Sequence, residues 1–227
     1  ANTHYNNGEV GKALVLYHKA AISGENPALC YFNMANAYFK LDSLPQSIVY
    51  YKACIGHAPD FFRAHLNLAI AYYSLEEIGP CVAAGRRALQ LEPNDEKALL
   101  ILAASYRRAG AYPEAIATFQ QLATVHPQNE EACVALAEMY RELDDDEQTA
   151  VRWLLRYPEA GSSEAYVKIL LAEIYEGRGD YDRAYYYLKK AHELDESNQW
   201  LYYRMVALQQ KMGNSMVALE LARNGLE

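Results

Sequence analysis

The feature of this sequence that most constrains its fold is a fixed interval at which the same residues recur. A tyrosine recurs at this interval, at Tyr38, Tyr72, Tyr106 and Tyr140. A proline recurs at the same interval, at Pro59, Pro93 and Pro127. A fixed period of about 20–50 residues is typical of repeat proteins, in which each unit packs only against its neighbours. The period therefore predicts an array of small units rather than one globular core.

Each unit is predicted to contain two helices. The tyrosine ends a pattern of large and small residues with spacings of three and four, as in Leu99, Leu102, Ala103 and Tyr106. Such spacings place the residues on one face of a helix. A turn rich in Gly, Pro, Asp or Asn follows, and then a second pattern of a small residue four positions before a large one, as in Ser47 and Tyr51.

This arrangement resembles the tetratricopeptide repeat (TPR), whose pattern W-x2-L-G-x2-Y…A-x3-F…P extends over about 34 residues. The tyrosines and prolines of this chain recur at that same interval. The resemblance implies an all-α fold, a right-handed superhelical solenoid of antiparallel helix pairs. We predict a single array over residues 1–227. Its divisions are a partial repeat at 1–27 and repeats at 28–61, 62–95, 96–129, 130–164, 165–198 and 199–227.

The charge of the chain is unevenly distributed. Residues 1–129 contain ten basic and ten acidic side chains, whereas residues 130–227 contain eleven basic and nineteen acidic ones, which gives the whole net charge of −8. Nucleic-acid binders need a basic excess, because neutralising phosphates is the main source of their affinity. We therefore predict no nucleic-acid partner. No apolar run is long enough to cross a membrane.

The sequence contains no pattern of residues that is typical of a catalytic or metal site. The cysteines Cys30, Cys54, Cys81 and Cys133 form no C-x-x-C pair. Cys54 and Cys81 lie where the TPR family usually has alanine, so we predict that they pack as small apolar residues. We therefore predict that the protein is not an enzyme and that it binds neither a cofactor nor a metal.

In TPR arrays the first helix of each pair lines a concave groove, and this resemblance assigns the groove residues. We predict a peptide-binding set of Phe32, Asn33, Asn36, Phe39, Arg63, Asn67, Tyr73, Lys97, Arg107 and Arg108. Asn33 and Asn67 hold the same position in successive repeats. A carboxamide donates and accepts hydrogen bonds at once, as binding of a peptide main chain requires. The alternative is that these side chains are only solvated.

Two binding modes of TPR proteins match this set in part. Some family members hold a peptide main chain with a ladder of asparagines, which Asn33 and Asn67 resemble over two repeats. Others bind a C-terminal carboxylate with five residues, Lys, Asn, Asn, Lys and Arg. Asn36, Asn67 and Lys97 match three of these places, but Phe32 and Ile101 replace two cations. That departure argues against binding of a C-terminal carboxylate.

The predicted groove changes sign along the array. The first three repeats carry the cations Arg63, Lys97, Arg107 and Arg108. The fourth and fifth carry the acids Glu131, Glu138, Glu142, Glu173 and Glu176. The hypothesis is an extended partner that is acidic at one end and basic at the other, so exchange of Lys97 for glutamate should weaken binding.

The last helix lacks the polar outer face of a capping repeat, since it carries Val217, Leu219, Leu221 and Leu226. This predicts either further sequence or a homo-oligomer formed through that helix. Three functions stay open: a scaffold that binds a protein or peptide in its groove, a self-assembling or complex-building subunit, and a regulatory TPR segment of a larger enzyme.

The location is inferred only from a loose resemblance. Residues 8–41 resemble the TPR proteins of bacterial aerotolerance (Bat-type) operons, which follow an export signal and work in the periplasm. The resemblance implies a periplasmic protein, either free or tethered to the membrane, and a cytoplasmic location is the alternative.

Overall fold

The computed structural model describes residues 1–143, 146–157 and 164–224. Over these residues the chain forms fourteen helices and no strand, which confirms the predicted all-α fold. None of the described helices is long and apolar enough to span a membrane. The chain divides into two compact units, Ala1–Val125 and His126–Glu227.

The first unit contains eight of the described helices. They are α1 (Asn2–Asn6), α2 (Val10–Ile22), α3 (Pro27–Lys40), α4 (Leu44–His57), α5 (Phe62–Ser74), α6 (Ile78–Leu91), α7 (Glu96–Arg108) and α8 (Tyr112–Val125). Turns of three residues join α3 to α4, α5 to α6 and α7 to α8, so that each pair runs antiparallel.

One residue in each of these turns has a left-handed backbone. Asp42, Glu76 and Gly110 lie one repeat interval apart and have φ angles of 56°, 59° and 73°. The conformation reverses the chain and is free of strain only for glycine, since a side chain there costs about 1 kcal/mol. The repeat of the backbone thus follows the repeat of the sequence.

Buried small residues let the helices of the first unit approach closely. Ala35, Ala69 and Ala103, the small residues of the tyrosine pattern, are completely buried. Tyr51 and Phe119, the large residues of the second helices, are also buried. The pattern in the sequence therefore identifies the core.

The second unit contains six described helices. They are α9 (Glu130–Leu143), α10 (Glu147–Leu154), α11 (Glu164–Gly177), α12 (Tyr181–Leu194), α13 (Gln199–Lys211) and α14 (Ser215–Asn224). The second helix α10 has 8 residues, whereas α12 has 14. Pro158, a proline that comes earlier in its repeat than Pro59, Pro93 and Pro127 do in theirs, lies outside the described residues, as does Leu226.

The four cysteines are free and buried, which makes their reactivity a test of the core. Burial raises the pKa of Cys54 from its ordinary value of 9.0 to about 11, which reduces its thiolate fraction by about 100-fold at neutral pH. We expect Cys54 of the native chain to react with iodoacetamide at pH 7.5 at least 100-fold more slowly than Cys54 of the chain in guanidinium chloride. Fast alkylation of Cys54 in the folded chain, followed by peptide mass spectrometry, would contradict this packing.

Candidate peptide-binding site

Two of the predicted asparagines lie side by side in the first unit. The Nδ2 of Asn67, on α5, donates a hydrogen bond of 3.0 Å to the Oδ1 of Asn36, on α3. The hydroxyl of Tyr51, on α4, donates to the same oxygen at 2.6 Å. Burial raises the pKa of Tyr51, and the hydrogen bond with Asn67 only partly offsets this, so its hydroxyl stays protonated and acts as a donor.

These groups border a cavity of about 310 Å³. We call it the amide pocket, and it is lined by Tyr5, Asn36, Phe39, Lys40, Tyr51, Asn67 and Ile70. The Nζ of Lys40 lies 5.0 Å from the ring centre of Tyr5. Within the described part of the chain, Lys40 forms no ion pair, the Nδ2 of Asn36 has no acceptor and the Oδ1 of Asn67 has no donor. The pocket thus offers one donor, one acceptor and a cation beside aromatic rings.

The bond from tyrosine to asparagine occurs twice, one repeat interval apart. The hydroxyl of Tyr17 donates to the Oδ1 of Asn2 at 2.6 Å, as the hydroxyl of Tyr51 does to Asn36. In both cases the tyrosine follows the asparagine by 15 residues. The sequence pattern identified Tyr51 only as the large residue of a second helix and gave no role to its hydroxyl. This recurring spacing is the signal that could have found it.

The remaining residues that the sequence predicted on α3 differ in exposure. Phe39 lines the amide pocket. Asn33 is half-buried and forms no hydrogen bond with a described residue. Phe32 is only 9% exposed, because its ring packs against Tyr51 and Phe61 at centroid distances of 6.0 and 5.0 Å. Its side chain therefore contributes to the core rather than to an open surface.

The predicted cations are spread over α5 and α7. Arg63 and Lys97 are exposed and lie outside the lining of the amide pocket. The guanidinium of Arg108 stacks over the ring of Tyr73 at 4.3 Å and lies 3.8 Å from a carboxylate oxygen of Glu76. Arg107, its neighbour, is also exposed. Of the predicted set, the structure thus brings together Asn36, Asn67 and Phe39, and separately Tyr73 and Arg108.

In the second unit, several of the predicted groove acids are bonded to neighbouring helices. Arg141 contacts Glu173 at 3.2 Å, and Tyr166 donates to Glu138 at 2.9 Å. Glu176 accepts hydrogen bonds from Arg204, at 2.7 Å, and from Lys211, at 2.6 Å. These acidic residues therefore link α9 to α11 and α11 to α13.

Glu176 should make the stability of the second unit depend on pH. Burial alone would raise its pKa, but the hydrogen bonds from Lys211 and Arg204 outweigh this effect and lower the pKa below its ordinary value of 4.5. The resulting stabilisation is present above pH 4.5 and is lost as the pH falls through the lowered pKa. We expect Glu176→Gln to cost about 1 kcal/mol at pH 7 and less at pH 3, where more of the carboxylate is protonated.

Urea unfolding monitored by the fluorescence of Trp153 and Trp200, both in this unit, measures the effect. Glu142→Gln, at an exposed acid without a partner among the described residues, is the control. An equal loss of stability at both pH values in Glu176→Gln would contradict the ionic role.

The last described helix exposes apolar side chains. Met216 is 79% exposed, and Val217 and Leu219 are also exposed. Leu221, in contrast, packs against the core of the second unit. Association of copies through this helix stays a prediction.

Family models of the tetratricopeptide repeat match residues 28–61, 106–174 and 169–199, which together cover more than half of the chain. The chain belongs to the tetratricopeptide repeat family. TPR folds are generally non-catalytic protein-interaction modules, and repeats of this kind build extended binding surfaces. No curated protein matches the sequence.

Solved structures share the fold at low sequence identity. A TPR protein from Parabacteroides merdae has a TM-score of 0.67 and 16% identity, over 87% of this chain and 78% of its own. MamA has a TM-score of 0.64 and 18% identity, over 68% and 90%. YrrB, described as a TPR protein with an unusual peptide-binding site, has a TM-score of 0.62 and 18% identity, over 78% and 90%.

Proposed function

We propose that this TPR chain is a non-enzymatic scaffold that binds an extended segment of a partner protein along the first helices of its first unit. The observation that carries the proposal is the pair of Asn36 and Asn67 at the edge of the amide pocket. Tyr51 and Asn67 occupy the Oδ1 of Asn36, so that its Nδ2 is available to a ligand. The description of YrrB, a fold neighbour, supports peptide binding as a function of such a scaffold.

The free groups of the two asparagines match a peptide main chain. The Nδ2 of Asn36 can donate to a carbonyl of the ligand, and the Oδ1 of Asn67 can accept from its N–H. Each hydrogen bond contributes about 1 kcal/mol, and burial of one or two apolar side chains against Phe39 and Tyr5 adds about 1.5–3 kcal/mol each. After the cost of ordering the ligand, a dissociation constant of about 1–100 μM is expected.

The ligand is expected to carry acidic side chains. Lys40 lies at the pocket, and Arg63 and Lys97 are exposed on the neighbouring first helices. A carboxylate next to the segment that enters the pocket would therefore be attracted rather than repelled. The ion pairs of Glu173 and Glu176 within the second unit give no comparable support for a basic end of the ligand.

A library of random 15-residue peptides displayed on phage tests this function. The full chain is panned, and enriched peptides are synthesised and titrated by fluorescence anisotropy. We expect peptides that bind at least tenfold more weakly to Asn67→Ala than to the unchanged chain. Asn198→Ala, the same substitution at a residue of the second unit, should leave their affinity unchanged. If no peptide is enriched, or if every enriched peptide binds Asn67→Ala with full affinity, the proposal is wrong.

A further inference from the structure

A second cavity, of about 360 Å³, opens among α4, α5 and α6 of the first unit. We call it the side groove, and it is lined by Lys52, Ile55, His65, Leu68, Tyr72, Pro80, Ala83, Ala84 and Arg87. None of these residues lines the amide pocket. The side groove is therefore a separate surface.

The two cavities use different faces of α5. Asn67 and Ile70 border the amide pocket, whereas Leu68 and Tyr72 border the side groove. Successive residues of a helix are rotated by about 100°, which places these two pairs on different sides. A ligand in one cavity therefore does not occupy the other.

The side groove combines an apolar floor with a cationic rim. Ile55, Leu68 and Tyr72 supply apolar surface, and Lys52 and Arg87 supply positive charge. No acidic residue is among those that line it. The Nζ of Lys52 lies 5.5 Å from the ring centre of Tyr72, and Lys52 forms no ion pair with a described residue.

Arg87 is only partly neutralised. Its Nη2 contacts the carboxylate of Asp60 at 2.6 Å, but the side chain of Asp60 is 79% exposed. Such an exposed pair contributes little to stability and can be exchanged for another carboxylate. The rim thus carries one cation on α4 and one on α6, and both are complementary to an acidic partner.

We infer that the side groove is a docking surface for an amphipathic acidic segment of a partner protein. Two or three apolar side chains of the segment would enter between α4 and α6, and its carboxylates would contact Lys52 and Arg87. Burial of the apolar side chains supplies the affinity, and the charges set the orientation and select against basic segments. The inference rests on the role of the chain as an interaction scaffold but not on the amide pocket.

A pair of substitutions at Ala83 separates charge from steric effects. Ala83 is exposed on α6, so both Ala83→Glu and Ala83→Lys add a long side chain at the groove without entering the core. The same phage-displayed library of random 15-residue peptides is panned on the full chain, and enriched peptides are titrated against each variant.

We expect a class of peptides rich in Asp, Glu and apolar residues that binds at least tenfold more weakly to Ala83→Glu and to Lys52→Glu. The same peptides should bind Ala83→Lys and Asn67→Ala with an affinity within about threefold of that for the unchanged chain. The same is expected for Lys19→Glu, which reverses an exposed charge on α2. A peptide whose affinity is lowered by Ala83→Glu but not by Asn67→Ala supports binding in the side groove. This result holds even if no peptide binds the amide pocket.

Two results would overturn the inference. If Ala83→Glu and Ala83→Lys weaken peptide binding equally, the groove does not discriminate between peptides by charge. If no enriched peptide responds to Ala83→Glu or to Lys52→Glu, the groove does not bind peptides of this class. Neither result affects the amide pocket, whose binding is tested by Asn67→Ala.

Discussion

Replacement of Tyr51 by alanine is expected to lower the free energy of unfolding of the first unit by about 3–5 kcal/mol. The ring is 1% exposed and packs in the core with Ala35, Cys54 and Ala69. Its removal leaves a cavity that the surrounding helices cannot fill, and it also removes the hydroxyl that holds Asn36. Tyr51→Ala is therefore expected both to destabilise the fold and to disrupt the candidate site.

Tyr51→Phe is the matched control, because it keeps the ring and removes only the hydroxyl. We expect it to cost about 1 kcal/mol, the typical net value of one hydrogen bond. Hydrogen exchange with mass spectrometry, applied to peptides from α3 to α6 of the full chain, measures both changes. Similar losses of protection from exchange in Tyr51→Ala and Tyr51→Phe would show that packing of the ring does not stabilise the first unit.

Replacement of Ala69 by leucine is expected to destabilise the first unit by about 3 kcal/mol, because a well-packed core has no room for three more carbon atoms. Ala69 is completely buried and is the small residue of the repeat pattern on α5. The repeated small residue exists to allow close approach of neighbouring helices. The loss should appear as lower protection of α4, α5 and α6 in the same exchange experiment.

The control for this substitution is Ala117→Leu, which makes the same change at an exposed position of α8. Alanine and leucine differ little in helix propensity, so a change of less than about 0.5 kcal/mol is expected. If Ala69→Leu were tolerated as well as Ala117→Leu, close packing at the small residue would not be what determines this fold.

The repeating pattern was sufficient to predict the all-α fold and the core, for a physical reason. Each repeat buries the same face against the next repeat, so that identical positions, such as Ala35, Ala69 and Ala103, carry similar residues. The division of the chain into seven repeats within a single array stays a prediction. The structure itself divides the chain into two compact units.

The candidate site was predicted less completely, because helical periodicity gives the direction of a side chain and not its partner. Asn36 and Asn67 were predicted to share a surface, and they are hydrogen-bonded to each other. The periodicity also placed Phe32 in the groove, although the rings of Tyr51 and Phe61 cover it. Contacts across helices of this kind depend on ring size and helix spacing, which the repeat pattern does not specify.

The acidic residues show the same limit. Their number in residues 130–227 was evident from the sequence, but their pairing was not. Glu176 lies 28 residues from Arg204 and 35 residues from Lys211, and it contacts both. Such pairs form only once neighbouring repeats stack, so a count of charges overestimates the charge that a ligand would meet.

The most direct test of the amide pocket is a titration observed at the side-chain amide groups themselves. The full chain, labelled with nitrogen-15, is titrated with a selected peptide whose affinity is lowered by Asn67→Ala, and the Nδ2 signals of Asn36 and Asn67 are followed by two-dimensional NMR. The proposal predicts that both signals shift and saturate with the dissociation constant measured by anisotropy. If that peptide saturates the chain and shifts other signals while those of Asn36 and Asn67 stay unchanged, the two asparagines do not bind the peptide.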